Sequence, residues 1–118
     1  KAGLQNKMKE KGLPWERAKG FDKSAVMSKF VKFEGNIETL EMKLFLNAKL
    51  VQHATYDLMI YKPSEILKEI ETFMSLEDGD IIMSGTPKGV ATYKRQDVFL
   101  ATIYIEDKLV LREEFVVI

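Results

Sequence analysis

The chain has 118 residues, eighteen Lys and Arg against eighteen Asp and Glu, and no cysteine. That length supports one hydrophobic core, the zero net charge leaves no field to gather nucleic acid or an anionic membrane, and the lack of thiols excludes a disulfide framework and a cysteine nucleophile. Apolar residues at 46% and charged residues at 31% belong to a chain that folds, and no apolar run reaches the length of a membrane span. A single soluble cytoplasmic domain, taking neither nucleic acid nor membrane as partner, is therefore the expectation.

The opening KAGLQNKMKEKG reads as a helix entered at or before its start, with Leu4 and Met8 on one face and Gly12 at its C-terminal end. Because no methionine initiates it, the chain is expected to be a piece of a longer polypeptide. Pro14 halts helical continuation, and Gly20 with Asp22 marks a turn, so residues 13–24 read as a structured loop leading into a strand over residues 25–31. Leu40, Met42, Leu44 and Leu46 alternate with Glu41, Lys43 and Phe45, the period of a half-buried strand. Asn47-Ala48 turns that strand back, although alanine resists the positive φ a tight hairpin demands. KPSEILKEIETFM is the clearest helix: Ile66, Leu67, Ile70, Phe73 and Met74 form one stripe, Ser64 is placed to cap it, and Glu65 suits the positive end of its dipole.

LEDGDIIMSGTPKGV follows, and its residues 80–83 read as a short buried strand bounded by Gly79, Gly85 and Pro87. The tail DVFLATIYIEDKLVLREEFVVI predicts two strands turned at Glu106-Asp107. Several antiparallel strands with two helices define an α+β domain dominated by sheet.

Two stretches could carry chemistry. Ser84-Gly85-Thr86-Pro87-Lys88-Gly89 offers two hydroxyls, backbone N–H groups that glycine leaves uncovered, and one ammonium, a set suited to an anionic oxygen. The competing reading is an ordinary turn. It is not a phosphate-binding P-loop, because Lys88 is followed by Gly89 and Val90 where such a loop needs Ser or Thr at the head of a helix. Lys19, between Trp15 and Phe21, would present a cation from an aromatic-flanked loop to a carboxylate or a developing enolate oxygen, against the plainer reading of a solvated lysine. His53, the only histidine, has no neighbouring pattern that marks a triad.

KGLPWERAKGFDKSAV at Lys11 to Val26 and LEDGDIIMSGTPKGV at Leu76 to Val90 resemble two signature segments of the fumarylacetoacetate hydrolase family, in their usual order. LNAKLVQHATYDLMIY resembles the hairpin between them, and QDVFLATIYIEDKLVLREEF the closing strands. The resemblance implies a sheet-dominated mixed β-roll with two helices, truncated at its N-terminus, so that residues 1–118 form the C-terminal segment of a single catalytic domain. It implies a homodimer that binds Mg²⁺ or Mn²⁺ and acts on short 2-oxo acids. Lys19 matches the family's active-site lysine, Gln5 a polar residue lining the pocket, and Ser84, Gly85 and Thr86 the strand-end loop that receives the substrate, while Lys88 and Gly89 read as loop architecture.

The resemblance also implies that the metal's carboxylate ligands lie N-terminal to Lys1, so no residue of this chain is expected to hold the metal. Ala2-Gly3 stands where many members carry Arg-Asp, and Lys23 where a small residue is more usual. The reaction expected first is hydrolytic C–C cleavage of an acylpyruvate or fumarylacetoacetate-like substrate. The alternatives are isomerisation of 2-hydroxyhepta-2,4-diene-1,7-dioate, hydration of a 2-oxo-pentenoate, and decarboxylation or tautomerisation of oxaloacetate. A rival of another class is a β-rich interaction domain without catalysis.

Overall fold

The computed structural model describes residues 1–118, which divide into two compact units, Lys1–Phe30 and Val31–Ile118. In the first, helix α1 (Ala2–Glu10) ends as the sequence predicts: Gly12 takes φ +62°, and the N–H groups of Lys11, Gly12 and Leu13 donate to the last-turn carbonyls of Met8 and Lys9. After Pro14 the chain makes a four-residue helix, α2 (Glu16–Lys19), where a loop was expected. Ala18, on α2, is buried, and two lysines of α1 and its N-terminus lie over the aromatic rings that flank α2: Lys9 Nζ is 4.8 Å from the Trp15 centroid and Lys1 Nζ 4.4 Å from that of Phe21. Lys23 takes φ +61° in the following turn, a conformation that glycine, lacking a Cβ, adopts without strain.

The second unit is a four-stranded antiparallel sheet in the order β2-β1-β3-β4, built from β1 (Glu41–Leu46), β2 (Lys49–Thr55), β3 (Val98–Ile105) and β4 (Lys108–Val116). Helix α3 (Pro63–Glu71) and two single 3₁₀ turns, Ile37–Thr39 and Tyr56–Leu58, complete it, so the α+β class stands. Both hairpins close through two residues in the left-handed region, Asn47 and Ala48 at φ +48° and +65°, and Glu106 and Asp107 at +49° and +61°. Alanine does adopt the φ it resists, because the Asn47 side chain is clamped from outside: its Nδ2 donates to Asp97 Oδ1 at 2.9 Å and its Oδ1 accepts from the Val98 N–H at 2.9 Å. Asp97 is buried, and its other oxygen accepts from the Lys94 N–H at 2.8 Å. The Asn47 amide first, and the Lys94 N–H second, hold the Asp97 carboxyl below the usual carboxylate range.

Helix α3 starts two residues earlier than a Ser64 cap requires. Pro63 occupies its first turn, and the Glu65 carboxylate accepts from the Lys62 N–H at 2.7 Å, so the glutamate, not the serine, closes this end.

Two expected strands are absent. Residues 25–31 and 80–83 pair with no neighbour, and Val26, Phe30, Ile81 and Met83 are exposed rather than buried. Both runs have the right residue types, but a strand exists only as part of a ladder, and here no edge takes them. The sheet is covered sparsely: the buried apolar residue of this unit is Ile105, while Ile60, Met83 and Val90 are each more than 80% exposed. No helix is long and apolar enough to cross a membrane.

Candidate functional site

In the sheet unit, the segment 84–87 forms one rim of a cavity of about 450 Å³. Three features of the sequence put it there. Gly79, Gly85 and Gly89 take φ of +101°, +119° and +123°, so the chain bends at each of them. The acidic turn closes on itself, the Asp80 carboxylate accepting from the Glu77 N–H at 2.9 Å. Gly89 lies directly on β2: a Cβ built there would overlap the Val51 carbonyl oxygen, and its own carbonyl accepts from Gln52 Nε2 at 3.4 Å. Gly89 is thus architectural, as the sequence suggested.

The floor of the cavity is the sheet. Met42 faces Ala54 on one side and Ile103 on the other in the strand register, and all three line the space. Ile66 of α3 and the segment 58–61 supply the remaining wall. Beside that wall the Lys62 ammonium donates to the carbonyls of Tyr56 at 2.9 Å, Met59 at 3.0 Å and Asp57 at 3.5 Å, and sits 4.6 Å from the Tyr56 ring centroid. It ties off the end of the 3₁₀ turn, supplementing the Met59 N–H that already donates to the Tyr56 carbonyl and serving the Asp57 and Met59 carbonyls as well.

The structure brings Ser84, Gly85 and Thr86 together on the rim, all three exposed, with two hydroxyls and an N–H directed at no partner within the chain. Gln5 and Lys19 belong to the other unit: Gln5 is half-buried on α1, and Lys19 ends α2, exposed, lining a shallow hollow with Leu13, Pro14, Trp15 and Glu16. The aromatic walls expected for Lys19 serve other cations, since Lys9 and Lys1 hold the Trp15 and Phe21 ring faces.

His53 does have a carboxylate partner, which the sequence did not reveal because twelve residues separate the two. Its Nε2 meets Glu41 Oε1 at 2.7 Å, and Lys43 Nζ reaches the same oxygen at 3.0 Å. Lys43 first, then His53, lowers the Glu41 pKa. The third member of this cluster is a cation, and no three His, Asp or Glu side chains converge in the chain. These residues do not fit a divalent metal ion on their own.

The sheet unit is a thin antiparallel sheet carrying one helix and a glycine-bent hydroxyl loop on the rim of a largely apolar cavity, and the helical unit ends α2 in an exposed lysine. Residues 2–111 match the description "fumarylacetoacetate (FAA) hydrolase C-terminal", and the chain belongs to that family. It is 41% identical over 101 residues to a mitochondrial oxaloacetate tautomerase of Saccharomyces cerevisiae, covering 80% of this chain and 39% of that one. A yeast fumarylacetoacetate hydrolase family protein of known structure superposes with a TM-score of 0.87 at 32% identity, over 98% of this chain and 51% of the other. A 2-hydroxyhepta-2,4-diene-1,7-dioate isomerase from Mycobacterium marinum gives 0.72 at 33% identity, over 83% and 38%. The chain spans less than half the length of the curated relative.

Proposed function

We propose that the intact protein is an enzyme acting on short 2-oxo acids, and that the reaction is hydrolytic cleavage of an acylpyruvate-like substrate. The observation that carries this reading is the rim itself: free hydroxyls of Ser84 and Thr86 and the Gly85 N–H stand beside a cavity whose lining is otherwise largely apolar, as a molecule with a carboxylate at one end and an acyl group at the other requires. In that reaction water adds to the acyl carbonyl. The bond between that carbon and C3 of the pyruvate part breaks, its electron pair goes to the enolate of pyruvate, and a proton completes pyruvate. Ser84, Gly85 and Thr86 would receive the carboxylate, Gln5 would orient substrate, and the Lys19 ammonium would stabilise enolate charge as it develops.

Lys19→Ala should then lower kcat by about a hundredfold, the scale of one oxyanion-type contact, while Ser84→Ala should act mainly on KM. Unchanged turnover in Lys19→Ala removes that residue from the chemistry. A second reading, tautomerisation of oxaloacetate, is favoured by the name of the Saccharomyces relative. It needs only proton exchange between C3 and the enol oxygen through the same enolate, and a panel of acylpyruvates and oxaloacetate, assayed for cleavage products and for enol content, separates the two.

We further take residues 1–118 as the C-terminal segment of one catalytic domain, whose remainder covers the exposed Ile60, Met83 and Val90, and the active form as a homodimer in the cytoplasm. Light scattering and cell fractionation of the full-length protein test the assembly and the compartment, the latter against the mitochondrial designation of the Saccharomyces relative.

A further inference from the structure

The rim that carries Ser84, Gly85 and Thr86 has one polar tie to the sheet. Residues 81–93 join no helix or strand, and a single hydrogen bond reaches them from outside: Gln52 Nε2 donates to the Gly89 carbonyl at 3.4 Å. Strand β2 is shaped for that contact. Its register with β1 pairs Leu44 with Gln52 but Phe45 with Leu50, which leaves Val51 as an extra residue, a β-bulge. A bulge bends its strand and re-aims the groups beside it, and here two of those groups address the same glycine. The Val51 carbonyl oxygen occupies the place a Cβ of residue 89 would take, and the Gln52 side chain reaches the Gly89 carbonyl. Gln52 and Gly89 are half-buried, while Ser84, Gly85 and Thr86 are exposed.

Resting on the 2-oxo acid reading above, we propose that Gln52 is a positioning residue for this site: by holding the Gly89 carbonyl it fixes where the Ser84 and Thr86 hydroxyls and the Gly85 N–H stand. Gln52 does not line the cavity, so it acts through the loop and not on the substrate. The close approach of Val51 limits how near Gly89 can come, whereas the hydrogen bond supplies a directed attraction that keeps it there. Donors already held in place bind an anion without first being ordered, so a loosened loop is felt in affinity before it is felt in chemistry. His53, the next residue along β2, points to the other face of the sheet and is engaged by Glu41, which makes it a control for damage to the strand itself.

The test uses the purified full-length protein, with acetylpyruvate and oxaloacetate as substrates and ¹⁵N-glycine labelling for NMR. Gln52→Met keeps the length of the side chain and removes the donor. It should raise KM and Kd by about twofold to tenfold, the equilibrium factor for one lost hydrogen bond, with kcat held within about twofold and the Gly85 and Gly89 N–H signals displaced. Gln52→Glu, the same shape with an acceptor facing the carbonyl, should raise KM at least as far and serves if the first variant does not fold. His53→Gln should leave KM and both glycine signals as they are. An unchanged KM in a folded Gln52 variant overturns the inference and leaves the 2-oxo acid reading standing. An equal rise in KM for His53→Gln also overturns it, because the effect then belongs to the strand and not to the tether. If the natural protein binds neither acid, the 2-oxo acid reading falls and the glycine spectra decide the tether alone: displaced signals in Gln52→Met sustain it, and unmoved ones overturn it.

Discussion

Replacing Gly89 by alanine puts the loop's placement to a quantitative test. Two costs act there. At φ +123° an alanine sits where side chains are rarely found, at about 1–3 kcal/mol. Its Cβ also collides with the Val51 carbonyl oxygen and crowds the Gln52 side chain. The first obstacle is backbone in the β2 ladder, so no rotamer change relieves it. The loop must lift, forfeiting the Gln52–Gly89 hydrogen bond, about 0.5–1.5 kcal/mol. Alanine's stiffer unfolded chain returns about 0.4–1 kcal/mol. The balance is a loss of about 2–3 kcal/mol. Gly79→Ala is the matched control: φ is +101°, but a Cβ there meets nothing within 4 Å, so the strain is present without the collision. Urea unfolding of both variants should show Gly89→Ala as the more destabilised by about 1 kcal/mol or more, with the NMR signal of the Gln52 side-chain amide displaced as its bond to the Gly89 carbonyl is lost. Equal losses, or an unmoved Gln52 amide signal, would refute the claim that the loop is seated on β2.

Ala48→Gly should stabilise the protein by about 0.5–1 kcal/mol, read as a higher urea midpoint, because glycine relieves the left-handed strain at φ +65° at the cost of a freer unfolded chain. Lys62→Met should cost about 1–2 kcal/mol and lower Tm by several degrees, since carbonyls at 56, 57 and 59 lose their shared donor. Glu41 and Asp97 have carboxyls held below their ordinary values of 4.5 and 3.8. Such groups stabilise the fold above those values, and the contribution disappears as pH falls through the depressed ones. Stability should therefore decline as pH drops below about 4.5, and Asp97→Asn should flatten that decline in urea midpoints compared between pH 7 and pH 3.

What the sequence disclosed tracks the range over which each interaction acts. Helices α1 and α3, both hairpins and the glycine-bent loop rest on local periodicity and local φ, and they were legible. The strands expected at 25–31 and 80–83 failed because alternation describes a face, while pairing depends on what lies alongside. Nothing local links Asn47 to Asp97 or His53 to Glu41, so the clamp on the first hairpin and the histidine's partner emerged only with the fold. Among the site residues, the Ser84–Thr86 grouping was readable as three neighbours with hydroxyls around a glycine. The taking of the Trp15 and Phe21 rings by Lys9 and Lys1 was not, since it depends on how α1 lies against α2.

The strand order has a kinetic consequence. Each hairpin zips from a two-residue turn, but the seam between β1 and β3 must first bring together segments separated by residues 47–97. Closing a loop of that size costs about 3 kcal/mol more entropy than closing either hairpin. Two ready-made halves should therefore wait on their docking, and truncations at Met42 or Ile103 should retard refolding more than equal losses of stability introduced at the turns.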